Sequence, residues 1–274
     1  MYLVSGATGN VGYEVAAALL AAGEPVRGLT RNPAAARLPA GAEAVATADA
    51  AGDAALTGVT GLFLHAVGAG RDIPKLLAAA RAHGVRRVVT LSSQASKWPG
   101  NPIGDHHLEL ERVVEETGLE WVHLRPGVFA ANTLAWAGQI RATGAVRLPY
   151  PGSHVGPIHE RDIADVAVRA FLSDGLVGTR PELTGPESLT MADQVRHIGE
   201  AIGRPVACET VDPETARAAM TDGFVTDEMA GWMLRAQESA VHRPAELTPE
   251  VERILGRPGR TYARWAADHA ADFS

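Results

Sequence analysis

Three glycines near the start of the chain, Gly6, Gly9 and Gly12, recur at every third position in Ser5-Gly6-Ala7-Thr8-Gly9-Asn10-Val11-Gly12. That spacing suits anion binding by the backbone. The first glycine permits a tight turn, the second lets a phosphate approach the main chain, and the third allows a helix to pack closely on a strand. The free N–H groups of the helix that follows, together with its dipole, then face a pyrophosphate. A glycine pattern alone is weak. Here it falls between an apolar strand and a helical stretch, which is the context the motif requires.

The second strand ends Arg27-Gly28-Leu29-Thr30-Arg31-Asn32. It has no acid where NAD sites bind the ribose hydroxyls. A guanidinium suits a 2′-phosphate through charge and paired hydrogen bonds, so Arg31 predicts NADP(H). Asp49, after the third strand, is expected on the adenine side.

A second group of reactive residues lies in Asp105-His106-His107-Leu108-Glu109-Leu110-Glu111-Arg112. His107 and Glu111 are one helical turn apart and share a face. In a catalytic reading His107 donates a proton or orients a substrate, and Glu111 fixes its ring. In a plain reading the pair is a solvated helix flank. His106 falls toward the Leu110/Val113 core stripe. His106, His107, Glu109 and Glu111 lack an H-E-x-x-H arrangement and a distant third ligand, so no metal site is expected. Ser92 and Ser93 end the fifth strand and can hydrogen-bond a substrate oxygen, or serve as ordinary strand-end residues. The single cysteine, Cys208, reads as a packing residue and permits no intrachain disulfide.

The elements that must position these residues follow from periodicity. Strands are expected at 2–5, 25–30, 42–47, 61–66, 87–92 and 120–125. Helical stripes lie between them: Val11, Val15, Ala18, Leu19 and Ala22, stopped by Gly23; Ile73, Leu76, Leu77 and Ala80, opened by Asp72 and Pro74; Leu110, Val113, Val114 and Thr117, after Asp105. This alternation predicts an α/β fold with a doubly wound parallel sheet of the Rossmann type. Later, Asp162 is expected to cap a helix carrying Ile163, Val166, Ala167, Ala170 and Phe171, and a short strand is expected near 180–184. From Thr190 onward the chain reads as mostly helical. The expected organisation is a nucleotide-binding domain over 1–150, completed by about 158–186, and a smaller helical substrate-binding or lid region over 187–274. Met220, Phe224, Met229, Trp232 and Met233 give that region an apolar surface: singly each reads as helix core, and as a group they suit a pocket for a flat or greasy substrate.

Composition narrows the partners. The chain has 274 residues, 46% of them hydrophobic and 21% charged, with a net charge of −7. No run of Lys or Arg suggests nucleic acid, and no apolar run approaches a membrane span. With no basic or apolar leader before the first strand, a cytoplasmic protein is expected. A homodimer or a regulatory protein partner stays open.

With these residues placed, the sequence resembles the NmrA-like branch of the atypical short-chain dehydrogenase/reductases. The resemblance runs over about the first 200 residues. It is carried by Gly6–Gly12, Thr30-Arg31-Asn32-Pro33, Leu91-Ser92-Ser93, Leu124-Arg125-Pro126-Gly127 with Phe129 and Asn132, Asp162-Ile163-Ala164-Asp165-Val166, and Thr184-Gly185-Pro186 before Leu189-Thr190. It implies that Gly6, Thr8, Gly9, Asn10 and Val11 cradle the pyrophosphate and that His65, Ala66 and Val67 flank the adenosine ribose. It places Ser92 and Ser93 near the nicotinamide ribose, and Pro126, Gly127, Val128 and Phe129 near the nicotinamide amide.

Most dehydrogenases of that superfamily use a Tyr-x-x-x-Lys pair, in which the Tyr donates a proton. None of Tyr2, Tyr13, Tyr150 and Tyr262 has a Lys four residues on. Quinone-reductase-like members carry a His and a Glu similar to His107 and Glu111. Hydride transfer to a quinone needs little beyond geometry, so the missing pair argues against alcohol oxidation and leaves reduction open. The expected activity is NADPH-dependent reduction of a quinone, enone or similar flat small molecule. Substrate contacts are expected from Asn132, Trp136, Tyr150, His154 and the 220–233 region. The alternatives are an NADP(H)-binding redox sensor without turnover and a non-redox enzyme on the same fold.

Overall fold

Successive side chains of the first strand enter different cores. Leu3 joins the cluster of Leu62, Leu64, Val88, Leu76 and Leu110, whereas Val4 joins that of Phe63, Val89, Val122, Ile163 and Ala167. A strand with both faces buried must be apolar at every position, and the helices that bury it must come from both sides. A computed structural model describes residues 1–70, 72–98, 100–220 and 225–274 and shows this arrangement. The first half runs β1 (Tyr2–Val4), α1 (Asn10–Ala21), β2 (Val26–Thr30), β3 (Glu43–Ala46), α2 (Asp53–Leu56), β4 (Gly61–Leu64), α3 (Ile73–Ala82), β5 (Arg87–Leu91), α4 (Pro102–Glu115) and β6 (Glu120–Pro126). It continues through α5 (Ala137–Thr143), β7 (Ala145–Leu148), β8 (His154–Val155), α6 (Glu160–Leu172), β9 (Glu182–Leu183), β10 (Leu189–Thr190) and α7 (Met191–Ala201). The chain ends with β11 (Ala207–Thr210), α8 (Pro213–Met220), α9 (Asp227–Ser239), α10 (Glu250–Leu255), α11 (Tyr262–Asp268) and α12 (Ala270–Phe273).

The sheet order is β3-β2-β1-β4-β5-β6-β9, parallel throughout. The chain leaves β1 in one direction and later returns to its other side, so the crevice at the carboxyl ends of β1 and β4 is the topological switch point. Helices α1 and α6 cover one face, with Val15 and Leu19 packed beside Ile163 and Ala167, and α3 and α4 cover the other. A third core joins Trp136, Ile140, Val146 and Leu148 to Val195, Ile198, Tyr262, Trp265 and Phe273.

Three local expectations are corrected. Helix α4 opens before Asp105, at Pro102, because Asn101 Oδ1 accepts the N–H groups of Ile103 and Gly104 at 3.0 and 3.1 Å. Asp162 lies inside the first turn of α6. The cap is His159, whose Nδ1 accepts the Arg161 N–H at 3.2 Å. The stretch after Thr190 is interrupted by β11, which pairs in parallel with β7 and carries the half-buried Cys208.

Arg87 is a feature the sequence did not announce. Its side chain is buried at the start of β5, and Nη1 donates to the carbonyls of Ala170 and Ser173, each at 2.7 Å. A cation is thus placed on the unsatisfied carbonyls at the end of α6, where the helix dipole favours one. Glu120 and Asp174 complete its charge pairing. Among the described residues no helix is long and apolar enough to cross a membrane.

Candidate functional site

The glycine turn is shaped by what surrounds it. Gly6 has φ +65°, and a Cβ there would lie 3.0 Å from the His65 ring. A Cβ on Gly12 would lie 2.2 Å from the Gly6 carbonyl oxygen, so α1 can approach the turn only without a side chain. Gly68, after β4, is equally tight, with its Cβ position 2.2 Å from Gly6 N. The Ser5 hydroxyl accepts the His65 N–H at 2.7 Å and donates to the Phe63 carbonyl at 3.0 Å, tying the ends of β1 and β4 together. Thr8, Gly9 and Asn10 are exposed at the mouth, and no side chain caps the first turn of α1. Those N–H groups remain available to an anion, and the cradle fits a dinucleotide pyrophosphate. Val11 contributes only backbone, since its side chain is buried in the core.

Arg31 follows β2, is exposed, and makes no side-chain hydrogen bond or ion pair among the described residues. Asp49 is exposed at the end of a short turn after β3. His65 is half-buried and its burial holds its pKa below the ordinary value. Ala66 is buried.

Along the same carboxyl edge, the loops after β4, β5 and β6 present large apolar side chains to solvent: Val67 is 62%, Trp98 51% and Val128 40% exposed. Ser93 caps the turn after β5 through the Ala95 N–H. Pro126 is buried, and Gly127 N–H donates to Leu183 O at 2.9 Å. Phe129 is half-buried and bridges Ile158. Gln94 stands over Gly127, its Oε1 2.9 Å from where a Cβ would be.

Helix α4 does not pair His107 with Glu111. The His107 Nδ1 is buried without a partner, and burial, reinforced by the neighbouring His106 and His65, lowers its pKa to about 4. Its imidazole is therefore neutral at neutral pH. Glu111 instead turns to the sheet. It is 2% exposed, accepts the Ser92 hydroxyl, and takes Arg125 Nε and Nη2 at 2.9 and 2.6 Å. Burial alone would raise its pKa, but the hydrogen bonds from Arg125 and Ser92 outweigh that and hold it low. His106, expected near the core stripe, is exposed, because its position lies on the solvent flank of α4.

Glu111, Glu115 and His123 gather ligand-type atoms within 4.8 Å of one another. Each carboxylate there already has a cation: Arg125 on Glu111, and Arg180 Nη2 2.5 Å from Glu115. His123 Nε2 lies 3.3 Å from Glu115 Oε1, out of hydrogen-bond alignment.

The expected substrate contacts scatter. Asn132 is exposed. Trp136 is buried in the third core beside Ala137 and Ile140, since a ring that large is better packed than solvated. Tyr150 and His154 come together against the end of α9. There the His154 N–H donates to Ala240 O at 3.1 Å, and the Tyr150 pKa is raised by burial and by Glu238. Helix α9 carries half-buried Met229, Trp232 and Met233 and packs against α4. Met220 is half-buried at the end of α8, and Phe224 lies outside the described residues. Sequence reasoning missed Gln94, Gly68, Trp98 and the site role of Arg125. Of these only Gly68-Ala69-Gly70, a second glycine cluster after a strand, left a signal.

Comparison with known proteins agrees with this geometry. A family model described as NAD(P)H-binding matches residues 6–174. A (4-alkanoyl-5-oxo-2,5-dihydrofuran-3-yl)methyl phosphate reductase of Streptomyces griseus is 37% identical over 283 residues, spanning 100% of this chain and 99% of that protein. An NAD(P)H azoreductase of Xenophilus azovorans is 34% identical over 289 residues, spanning 100% and 99%. Among solved structures, the Escherichia coli NADPH-dependent quinone oxidoreductase complexed with NADPH is similar in fold. Its TM-score is 0.76 at 22% identity, covering 98% of this chain and 99% of that one.

Proposed function

The chain belongs to the NAD(P)H-binding family of NmrA-like, atypical short-chain dehydrogenase/reductases and is an NAD(P)H-dependent oxidoreductase; from that premise we propose that it uses NADPH to reduce a conjugated, flat small molecule such as a quinone, enone or unsaturated lactone. The observation that carries the reading is the cleft itself. A dinucleotide cradle lies at the carboxyl edge of the sheet, where the loops after β4, β5 and β6 expose Val67, Trp98 and Val128, with a neutral histidine on α4 and no Tyr-x-x-x-Lys pair.

Bound NADPH supplies a hydride. The glycine turn and the first turn of α1 hold the pyrophosphate, and Arg31 takes the 2′-phosphate. The apolar rim excludes water and sandwiches a flat acceptor. His107, being neutral, gives an N–H to the acceptor's carbonyl oxygen and stabilises the charge that develops there, as an electrophile and not as a strong acid. The name of the Streptomyces griseus relative describes a ring with a carbon–carbon double bond conjugated to carbonyl groups, which is the same electronic class.

The test is a panel of quinones, enones and unsaturated lactones offered with NADPH, following its fluorescence. Oxidation of at least one class, faster with NADPH than with NADH, is expected. Tight NADPH binding with no acceptor reduced would sink the reading and leave the sensor alternative.

A further inference from the structure

Ser92 stands at the carboxyl end of β5, at the level of the cleft, and its hydroxyl has one close partner, a carboxylate oxygen of Glu111. Glu111 comes from α4 and is clamped from the far side by Arg125 of β6, at 2.9 and 2.6 Å. Three neighbouring elements thus meet in one chain of polar contacts, nearly sealed from water. An ionised carboxylate can only accept hydrogen bonds, and a hydroxyl has a single proton to give. The Ser92 proton is therefore committed to Glu111. What remains for the cleft is the oxygen's lone pairs.

We propose that Glu111, held by Arg125, is a positioning residue that locks the Ser92 hydroxyl with its proton turned away from the cleft, so that Ser92 acts as a hydrogen-bond acceptor toward the nicotinamide half of the cofactor and not as a donor to substrate. This rests on the reading of the cleft as an NADPH site. The groups that fit such an acceptor are a ribose hydroxyl or the carboxamide N–H of the cofactor. It also separates two roles the sequence left merged: donation to the substrate falls to His107, and cofactor orientation to Ser92.

Glu111→Gln releases the lock. Ser92 Oγ and Arg125 Nε share one Glu111 oxygen and Arg125 Nη2 takes the other, so an amide with a single carbonyl oxygen cannot accept all three donors, and the Ser92 proton is no longer held away from the cleft. The test is a double-mutant cycle on NADPH affinity by fluorescence titration, with Ser92→Ala, Glu111→Gln and the double variant, each checked for thermal stability. Each single change is expected to weaken binding about tenfold, and the double variant to be within about twofold of Ser92→Ala. Losses that multiply in the double variant, or Glu111→Gln binding within about twofold of the parent, overturn the proposal. Should Glu111→Gln not fold, Arg125→Lys and Arg125→Met carry the same test. Lys, keeping one charge pair, is expected to retain affinity within about threefold while Met matches Ser92→Ala, and equal loss in both overturns it. Because the readout is binding, failure of every acceptor in the substrate panel would strike the proposed reaction and leave this result interpretable.

Discussion

His107 and His269 stand in two regions built on opposite terms. In the cleft, His107 has a buried nitrogen without a partner, and burial pushes its pKa down to about 4. At the carboxyl end of the chain, His269 Nε2 lies 2.8 Å from Glu160 and Nδ1 2.9 Å from Asp272, and the bond to Glu160 raises its pKa despite partial burial. Around His269 every charged group has company. Glu160 also takes Trp265 Nε1 at 3.0 Å, and the fully buried Asp162 takes Arg257 Nη2 at 2.8 Å and the Arg260 N–H at 2.6 Å. This clasp ties the last helices to α6. The difference is one of partners: the clasp pairs its buried charges and so ties helices together, whereas the buried His107 Nδ1 has no hydrogen-bond partner among the described residues, a trait it shares with His123 and with His159 Nε2 beside the clasp.

The largest expected effect lies in the clasp. Asp162→Ala removes a buried carboxylate from two arginines, which then keep only Asp165. Breaking such pairs costs about 3–5 kcal/mol, and the lower end applies because both arginines reach solvent. The melting temperature should fall by about 6–12 °C. NADPH affinity below the transition should stay within about twofold, since the partners of Asp162 are Arg257 and Arg260 and none belongs to the glycine turn. A stable Asp162→Ala protein would break the comparison.

The reverse is expected at His107. His107→Ala should lower kcat/KM for the best acceptor about 100-fold, the low end for a positioned proton-sharing group. It should move the melting temperature less than Asp162→Ala does, because the buried Nδ1 has no hydrogen bond to lose. Loss of stability without loss of turnover would return His107 to the status of a helix flank. Arg31→Ala should weaken NADPH about tenfold or more and leave NADH unchanged, measured by calorimetry, because an exposed guanidinium without a protein partner is worth something only to a phosphate. Equal weakening of both nucleotides would move the 2′-phosphate elsewhere.

Much of this was legible in the sequence where physics is local. The strands of the sheet alternate into two cores, so apolar runs such as Leu62-Phe63-Leu64 announce themselves. The glycine turn is defined within seven residues of chain, Gly6–Gly12. Helix spacing placed His107 and Glu111 on one side of α4, but a face spans a wide arc, and the partner that turned Glu111 inward, Arg125, arrives on the next strand. Trp136 was misread for the same reason: its core is assembled from residues as distant as Phe273. Likewise Asp162 has the chemistry of a cap, but two arginines near the end of the chain claim it, and His159 takes the capping role. Long-range partners decide such cases, and a single sequence does not show them.

The pH dependence of stability puts the two histidines on opposite limbs, with the smaller effect at His269. For His269 the folded pKa is raised, so its contribution is complete below the unfolded value of about 6.5 and is lost as pH climbs through the folded value. For His107 the folded pKa is lowered to about 4, so the unfolded chain binds the proton first and stability declines as pH falls from about 6.5 toward 4. Melting curves at steps between about pH 4.5 and pH 9 should then show His269→Gln flattening the alkaline limb only and His107→Gln flattening the acid limb only. The His269 effect should stay below about 1 kcal/mol, because the ring keeps contact with water that screens its partners. If both substitutions flatten the same limb, the cleft and the clasp do not differ in the way their hydrogen bonds say they do.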